Sequence, residues 1–377
     1  GEVRIRELKE MVRRLHSLGL SVVMDVVYNH VYDAGTFCFN EIVTNYFSRT
    51  YLDGTYSSDS GCGNDTASER AMVRKYIVDS VKYWADEYHI DGFRFDLMGV
   101  LAKETMLEIY TALYDIDPKV MVYGEPWTGG DCMVVNGANQ AVSGSTGLGV
   151  GAFDDDFRDA IKGAEFGGFK RGQVQDASND SAIITGLTGK VGPNKRNDTG
   201  KLGLALHYVE CHDNYTLFDK LAMSYLNKTT YSGDLFAAIG TKGLNAVKAQ
   251  NTLSAAYVFL AQGTPFINGG QEFLRTKKGD HNSYQSDDSI NGIDFSFKKK
   301  YADVVSVYKG LIALRRDYSA FRYAKTAKAE TVSEGVTKYD VTADDGNFTV
   351  LFNATDKSAS VSEVKGKVVN VNGGVKL

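Results

Sequence analysis

The chain has 377 residues, 43% of them hydrophobic and 24% charged, with a formal net charge of −5. That balance suits a globular protein with a large core, and the acidic excess argues against a nucleic-acid partner, whose phosphates require a basic face. No apolar run reaches the roughly 18 residues of a membrane span, and the length fits one α/β barrel of ~250 residues with a smaller domain appended.

In chain order, RIRELKEMVRRLHSLGL places Ile5, Leu8, Val12, Leu15 and Leu18 at helical spacing, with Gly19 as the stop. SVVMDVVYNH follows, a β-branched run that reads as a strand buried on both faces. A loop rich in Gly, Ser, Asn and Asp runs over 31–66. Ser68 is then placed to cap a helix whose stripe is Val73, Tyr76, Ile77, Val81, Trp84 and Tyr88. IDGFRFDL is a strand, 103–115 a helix, and KVMVYGEPW a strand ended by Pro126. Further on, LALHYVECHDN reads as a strand, AVKAQNTLSAAYVFLAQG as a helix and TPFINGGQEF as a strand. This tempo is that of parallel β/α units. From about Ala320 the pattern changes to alternation with turn residues, as in TKYDVTADDGNFTVLFNAT, which predicts a small β-sandwich. The expected division is 1–318 for the barrel and 319–377 for the all-β domain.

The predicted strands end in polar groups: Asn29 and His30, Arg94 and Asp96, Glu125, then His212 and Asp213. In a parallel β/α barrel the active site lies at the C-terminal ends of the strands, and buried charges need partners. Residues two apart on a strand share a face, so Arg94 and Asp96 point into one space, where the guanidinium keeps the carboxylate ionised, as a nucleophile requires. Glu125 falls one β/α unit later. Beside Trp127 and apolar strand residues its pKa is expected to rise enough to keep a proton. A charged and a protonated carboxyl on neighbouring strands form the pair of a retaining glycosidase. Asp213 is placed to hold sugar hydroxyls and favour a positively charged transition state, with His30 and His212 as further hydroxyl contacts.

DVVYNH, GFRFDLMG, YGEPW and YVECHDN, in this order, resemble the four motifs of the α-amylase superfamily, glycoside hydrolase family 13. The resemblance implies a (β/α)8 TIM barrel followed by a small all-β domain, with Asp96 as nucleophile, Glu125 as acid/base and Asp213 as transition-state stabiliser. It further implies that Arg94, His30 and His212 contact the sugar at the cleaved position, with Asn214 beside them. Asp25 would support the site and Trp127 would be a platform for the leaving group. GCGNDTASER and HNSYQSDDSINGIDF are similar to the starch-debranching branch of the family, which cleaves α-1,6 links in pullulan, amylopectin and limit dextrins.

Three departures from that pattern stand out. The chain opens where the family's second barrel helix would lie, so the first two strands are expected to be missing and the remainder, alone, to aggregate or fold poorly. Cys211 stands where Ala is usual and is expected to face away from the sugar. Gly292 stands where relatives often carry a basic residue reaching toward a neighbouring sugar, a contact glycine cannot make, and this weakens the case for Asp288 as a candidate contact there.

Two alternatives are an α-1,4-acting amylase or amylopullulanase, and a catalytically silent glucan-binding homologue. The full set Asp96, Glu125 and Asp213 speaks against the second. A phosphate-sugar enzyme would need a P-loop spacing that GTPFINGGQEF lacks. No cofactor is required by this reading. Asn29, Asp53, Asp59 and Asp65 offer oxygen ligands for calcium but lack EF-hand spacing, and a solvated acidic loop is the expectation. Cys38, Cys62, Cys132 and Cys211 show no zinc spacing; Cys38 and Cys62 are placed to bridge one loop, and four unpaired thiols fit equally. The opening GEVRIREL gives no localisation; a polymer substrate points to a secreted or cell-surface protein.

Overall fold

The computed structural model describes residues 1–130, 133–134, 137–138, 149–166, 168–178, 181–189, 204–363 and 368–370. It divides into two compact units, Gly1–Phe153 with Lys195–Leu204, and Asp154–Asn194 with Ala205–Leu377.

In the first unit the strands Val23–Val26, Gly92–Phe95, Met121–Gly124 and Val150–Phe153 lie side by side, all parallel. The helices Glu2–Ser17, Ala71–Tyr88 and Lys103–Ile116 alternate with them. Val73, Ile77, Val81 and Tyr88 bury one face of the second helix, and Val78 and Ala85 complete it. Tyr76, expected in that stripe, is exposed. Phe93, Phe95 and Val122 fill the core from the central strands. The register sets Asp25 against Arg94, Arg94 against Tyr123 and Phe95 against Gly124. Glycine is required at 124: a Cβ there would stand 2.5 Å from the Phe95 carbonyl oxygen.

Three expectations are corrected in this unit. Val23–Val26 is not buried on both faces, because among the described residues it pairs with Gly92–Phe95 alone and lies at the edge of the row. In the first helix only Val12 is buried, while Ile5 and Leu18 stay exposed. Ser68 does not cap Ala71–Tyr88, whose N-cap is Arg70 without a side-chain bond. Its Oγ instead accepts from Ala102 N–H at 2.9 Å and its carbonyl accepts from Thr105 Oγ1, so Ser68 anchors the start of the next helix.

In the second unit Ala205–His207 and Thr264–Pro265 pair in parallel, among the helices Asp155–Lys162, Leu217–Tyr225, Leu235–Leu260 and Ala302–Asp317. Both strands are shorter than their sequences predict. Past His207 the chain leaves the ladder, and Gly269 and Gly270 lead into the turn Gln271–Phe273. The C-terminal strands Thr326–Ser333, Val336–Ala343, Gly346–Asn353, Ser358–Glu363 and Val368–Asn370 form one antiparallel sheet in sequence order. Tyr339, Val341, Phe348, Val350 and Phe352 alternate onto its buried face, where Phe352 stacks on Tyr257 of the long helix at 4.3 Å. Arg315 is buried and donates to the carbonyls of Phe259 and Ala261 at 3.0 and 2.8 Å.

Candidate active site

Gly92–Phe95 is buried at every position, so Arg94 is carried into the interior. Its Nη1 donates to Asp25 Oδ1 at 2.9 Å and to Asp96 Oδ1 at 3.0 Å, and its Nη2 pairs with Glu125 Oε1 at 2.6 Å. The Arg94–Asp96 pairing predicted from strand geometry is thus present. Burial disfavours the guanidinium's charge, but the Glu125, Asp25 and Asp96 carboxylates together override it and hold its pKa above the ordinary arginine value.

Asp96 is held from its other side by Asn29, whose Nδ2 donates to Asp96 Oδ2 at 2.9 Å and to its carbonyl at 2.6 Å. His30 Nδ1 in turn meets Asn29 Oδ1. Glu125 is fixed equally firmly. Leu97 takes the left-handed backbone, φ 37°, uncommon for a branched residue, and in that pose its N–H donates to Glu125 Oε2 at 2.9 Å. Both Glu125 oxygens are therefore engaged, one by the Arg94 guanidinium and one by the Leu97 N–H. Beside Trp127 and the apolar strand residues named from the sequence, Glu125 thus has Arg94 as a direct partner. Trp127 is half-buried, and a Cβ on Gly99 would stand 2.4 Å from its carbonyl oxygen. The two loops that follow Asp96 and Glu125 are thereby packed back to back.

In this unit Asp25, Asn29, His30, Arg94, Asp96 and Glu125 are linked by direct contacts. Three carboxylates on one guanidinium leave the cluster net negative, which suits a reacting group that becomes positive. From sequence, Asn29 reads only as a polar strand end and a calcium-type ligand. Its place beside His30 is the available signal for more.

His212, Asp213 and Asn214 belong to the second unit. His212 and Asp213 are exposed, with His212 Nε2 at 3.3 Å from Asp213 Oδ2, and Asn214 has φ 59°. Cys211 Sγ approaches the Asp213 carbonyl at 3.7 Å. Glu210, which sequence reasoning misses, is buried, accepts from Leu217 N–H at 2.8 Å and Asn268 Nδ2 at 2.9 Å, and is pushed by burial up to about 7. An acid inside the apolar run YVE is the signal for it. Asp288 opens a short helix, Asp288–Asn291, and lines a cavity of about 430 Å³ with Phe273, Arg275 and Phe297.

Three of the four calcium-type ligands, Asn29, Asp53 and Asp65, have hydrogen-bond partners within the chain. Asn29 serves Asp96, Asp53 accepts from its own loop at Thr55, and Asp65 accepts from Ser57 Oγ and the N–H groups of Asp59 and Ser60. Arg49 supplies the positive charge there, 4.0 Å from Asp59 and 3.9 Å from Asp65. Among the described residues no group of three or more His, Cys, Asp or Glu is gathered as a metal would need, and no helix is long and apolar enough to cross a membrane. Cys38 is a free thiol, so the bridge to Cys62 is not formed; Cys132 lies outside the described residues.

No family model matches the chain. It is 37% identical over 341 residues to a pullulanase of Bacillus subtilis (strain 168), covering 89% of this chain and 45% of that one. Its fold matches the crystal structure of the type I pullulanase from Bacillus subtilis str. 168 complexed with maltose, with TM-score 0.84, 32% identity, and coverage of 98% and 55%. It also matches the pullulanase from Paenibacillus barengoltzii in complex with maltohexaose and alpha-cyclodextrin, with TM-score 0.80, 37% identity, and coverage of 93% and 54%. The chain thus spans about half the length of these relatives. The likeness makes its parallel strands and intervening helices those of a (β/α)8 barrel, with the antiparallel sheet as the all-β domain that follows. On sequence and fold together, the chain is similar to about half of a pullulanase and has the barrel type of the α-amylase superfamily.

Proposed function

We propose that this chain carries the catalytic machinery of a retaining glycoside hydrolase that cleaves α-1,6-glucosidic branch links in pullulan, amylopectin and limit dextrins. The observation that carries the reading is the buried guanidinium of Arg94, shared by Asp96 and Glu125. One carboxylate is steadied from both sides by Arg94 and Asn29, as a nucleophile needs. The other shares the same cation from the next strand. The malto-oligosaccharides bound by the Bacillus subtilis and Paenibacillus barengoltzii pullulanases support a glucan as the substrate.

In this mechanism Asp96 attacks the anomeric carbon while Glu125 gives its proton to the departing glycosidic oxygen, which leaves a glycosyl ester on Asp96. Glu125, now a carboxylate, takes a proton from the water that displaces Asp96 and restores the starting state. The cycle runs from protonated Glu125, whose proton comes once from solvent and is returned in each turnover by the attacking water. Asp213 steadies the positive sugar, with Arg94, His30, His212 and Asn214 on its hydroxyls. Asp25 holds Arg94, Trp127 is a platform for the leaving group, and Asp288 is a contact for the neighbouring sugar.

The test is digestion of pullulan by the full chain, with products separated by size, beside Asp96→Asn and Glu125→Gln. Maltotriose as sole product, reduced by at least ~1,000-fold in both variants, is the expected result for loss of a group that reacts covalently or transfers the proton. Panose or mixed α-1,4 products would replace the debranching reading with that of an amylase. No product from folded protein would leave a glucan-binding role.

A further inference from the structure

In the second unit the segment Cys211–Asn214 forms neither strand nor helix, yet buried charged groups grip it on both sides. Lys277, 2% exposed, donates from Nζ to the His212 carbonyl at 3.0 Å. Downstream, Glu165 accepts from Tyr215 N–H at 3.2 Å and is itself paired with buried Lys162 at 2.5 Å. Glu210 accepts from Leu217 N–H at 2.8 Å. Lys277 is fixed in turn. The buried Asp219 carboxylate accepts from Lys277 N–H at 2.8 Å, from Gly279 N–H at 3.2 Å and from Thr276 Oγ1.

Burying an ammonium is costly. Burial lowers the pKa of Lys277, and the negative charge of Glu210 works against that lowering. A loop carbonyl is ordinarily satisfied by water or by another backbone group, so an ammonium buried on one marks a peptide whose direction is set. The peptide in question is the one that joins His212 to Asp213.

We propose that Lys277 is a positioning residue for Asp213: its ammonium fixes the His212–Asp213 peptide and thereby the direction in which the Asp213 carboxylate is presented. Asp219 fixes Lys277 one step further back. This inference rests on the reading of Asp213 as the group that steadies the positive sugar.

The test measures kcat and KM on pullulan for the full chain carrying Lys277→Met, Lys277→Arg, Asp213→Asn, and Lys277→Met with Asp213→Asn. Lys277→Met is expected to lower kcat by about 10–100-fold, the scale of a misplacement near 1 Å, with KM within about 3-fold. Lys277→Arg, which keeps a cationic donor, recovers part of that loss. In the Asp213→Asn background the Lys277 substitution costs little more, because residues acting through one group are not additive. A double variant slower by the full product of the single effects, or Lys277→Met with unchanged kcat, overturns the proposal while a slow Asp213→Asn leaves the reading of Asp213 standing. Asp213→Asn with full kcat overturns both. If Lys277→Met does not fold, Asp219→Asn takes its place in the same cycle, and additivity there contradicts the proposal in the same way.

Discussion

At the scale of single residues, Arg94 organises the first unit's polar cluster, and its two kinds of partner differ in how visible they are in the sequence. Asp96 lies two positions away on one strand, so the period of a strand alone brings the pair together. Glu125 reaches Arg94 only because Phe95 sits opposite Gly124 across two strands, a register that no local pattern specifies. The consequence is that the Arg94–Glu125 contact is absent from the sequence reading. Leu97 is hidden for a related reason: its left-handed backbone is imposed by the contacts on either side of it and runs against the preference of a branched residue.

Glu210 gives a prediction at this scale. Burial raises its carboxyl from the ordinary 4.5 to about 7, so the folded chain binds more protons than the unfolded one between those values. Stability is therefore lost as pH rises through that window, by about 3 kcal/mol in all. Glu210→Gln cannot titrate and lacks this fall. Its stability relative to wild type, read from urea midpoints, is expected to improve by ~3 kcal/mol between about pH 4.5 and about pH 8. Parallel pH profiles for the two proteins would show that burial does not act on Glu210 in this way.

At the scale of elements, Lys103–Ile116 matches the expected 103–115, whereas the run ending at Gly263 overruns Leu235–Leu260 by about three residues and misses its first turns. Strand ends are not legible. The apolar runs continue past the ladders because Tyr208, Val209 and Glu210 are buried by side-chain contacts after hydrogen bonding to a neighbouring strand has ceased. Ser68 misleads because the cap signal is local, whereas its partner Ala102 is 34 positions away. Ser68→Ala would leave the Ala102 N–H buried without an acceptor. The expected cost is about 1–2 kcal/mol, measured as a lowered urea midpoint with pullulan cleavage retained at wild-type kcat. An unchanged midpoint would show that this anchor contributes nothing to the helix start.

At the scale of the whole molecule, the β/α tempo and the four ordered motifs make the barrel class and the family legible before any coordinates. The C-terminal alternation marks the all-β part, where the described residues form one sheet. What the sequence does not show is the network of buried charge around the chemistry-bearing residues: Arg94 in the first unit, Lys277 and Asp219 in the second. Those contacts depend on residues far apart in the chain meeting at hydrogen-bond distance, and residue type alone does not say which will meet.

In the proposed mechanism Asp96 forms the glycosyl ester and Glu125 moves the proton. Its most direct test is to react Glu125→Gln with maltotriosyl fluoride, whose leaving group needs no acid, and to map the protein by mass spectrometry. A maltotriosyl adduct is expected on the peptide that contains Asp96, accumulating because the amide put in place of the Glu125 carboxylate cannot activate water. An adduct on any other residue, or turnover of the fluoride with no adduct in the Glu125→Gln protein, would contradict it.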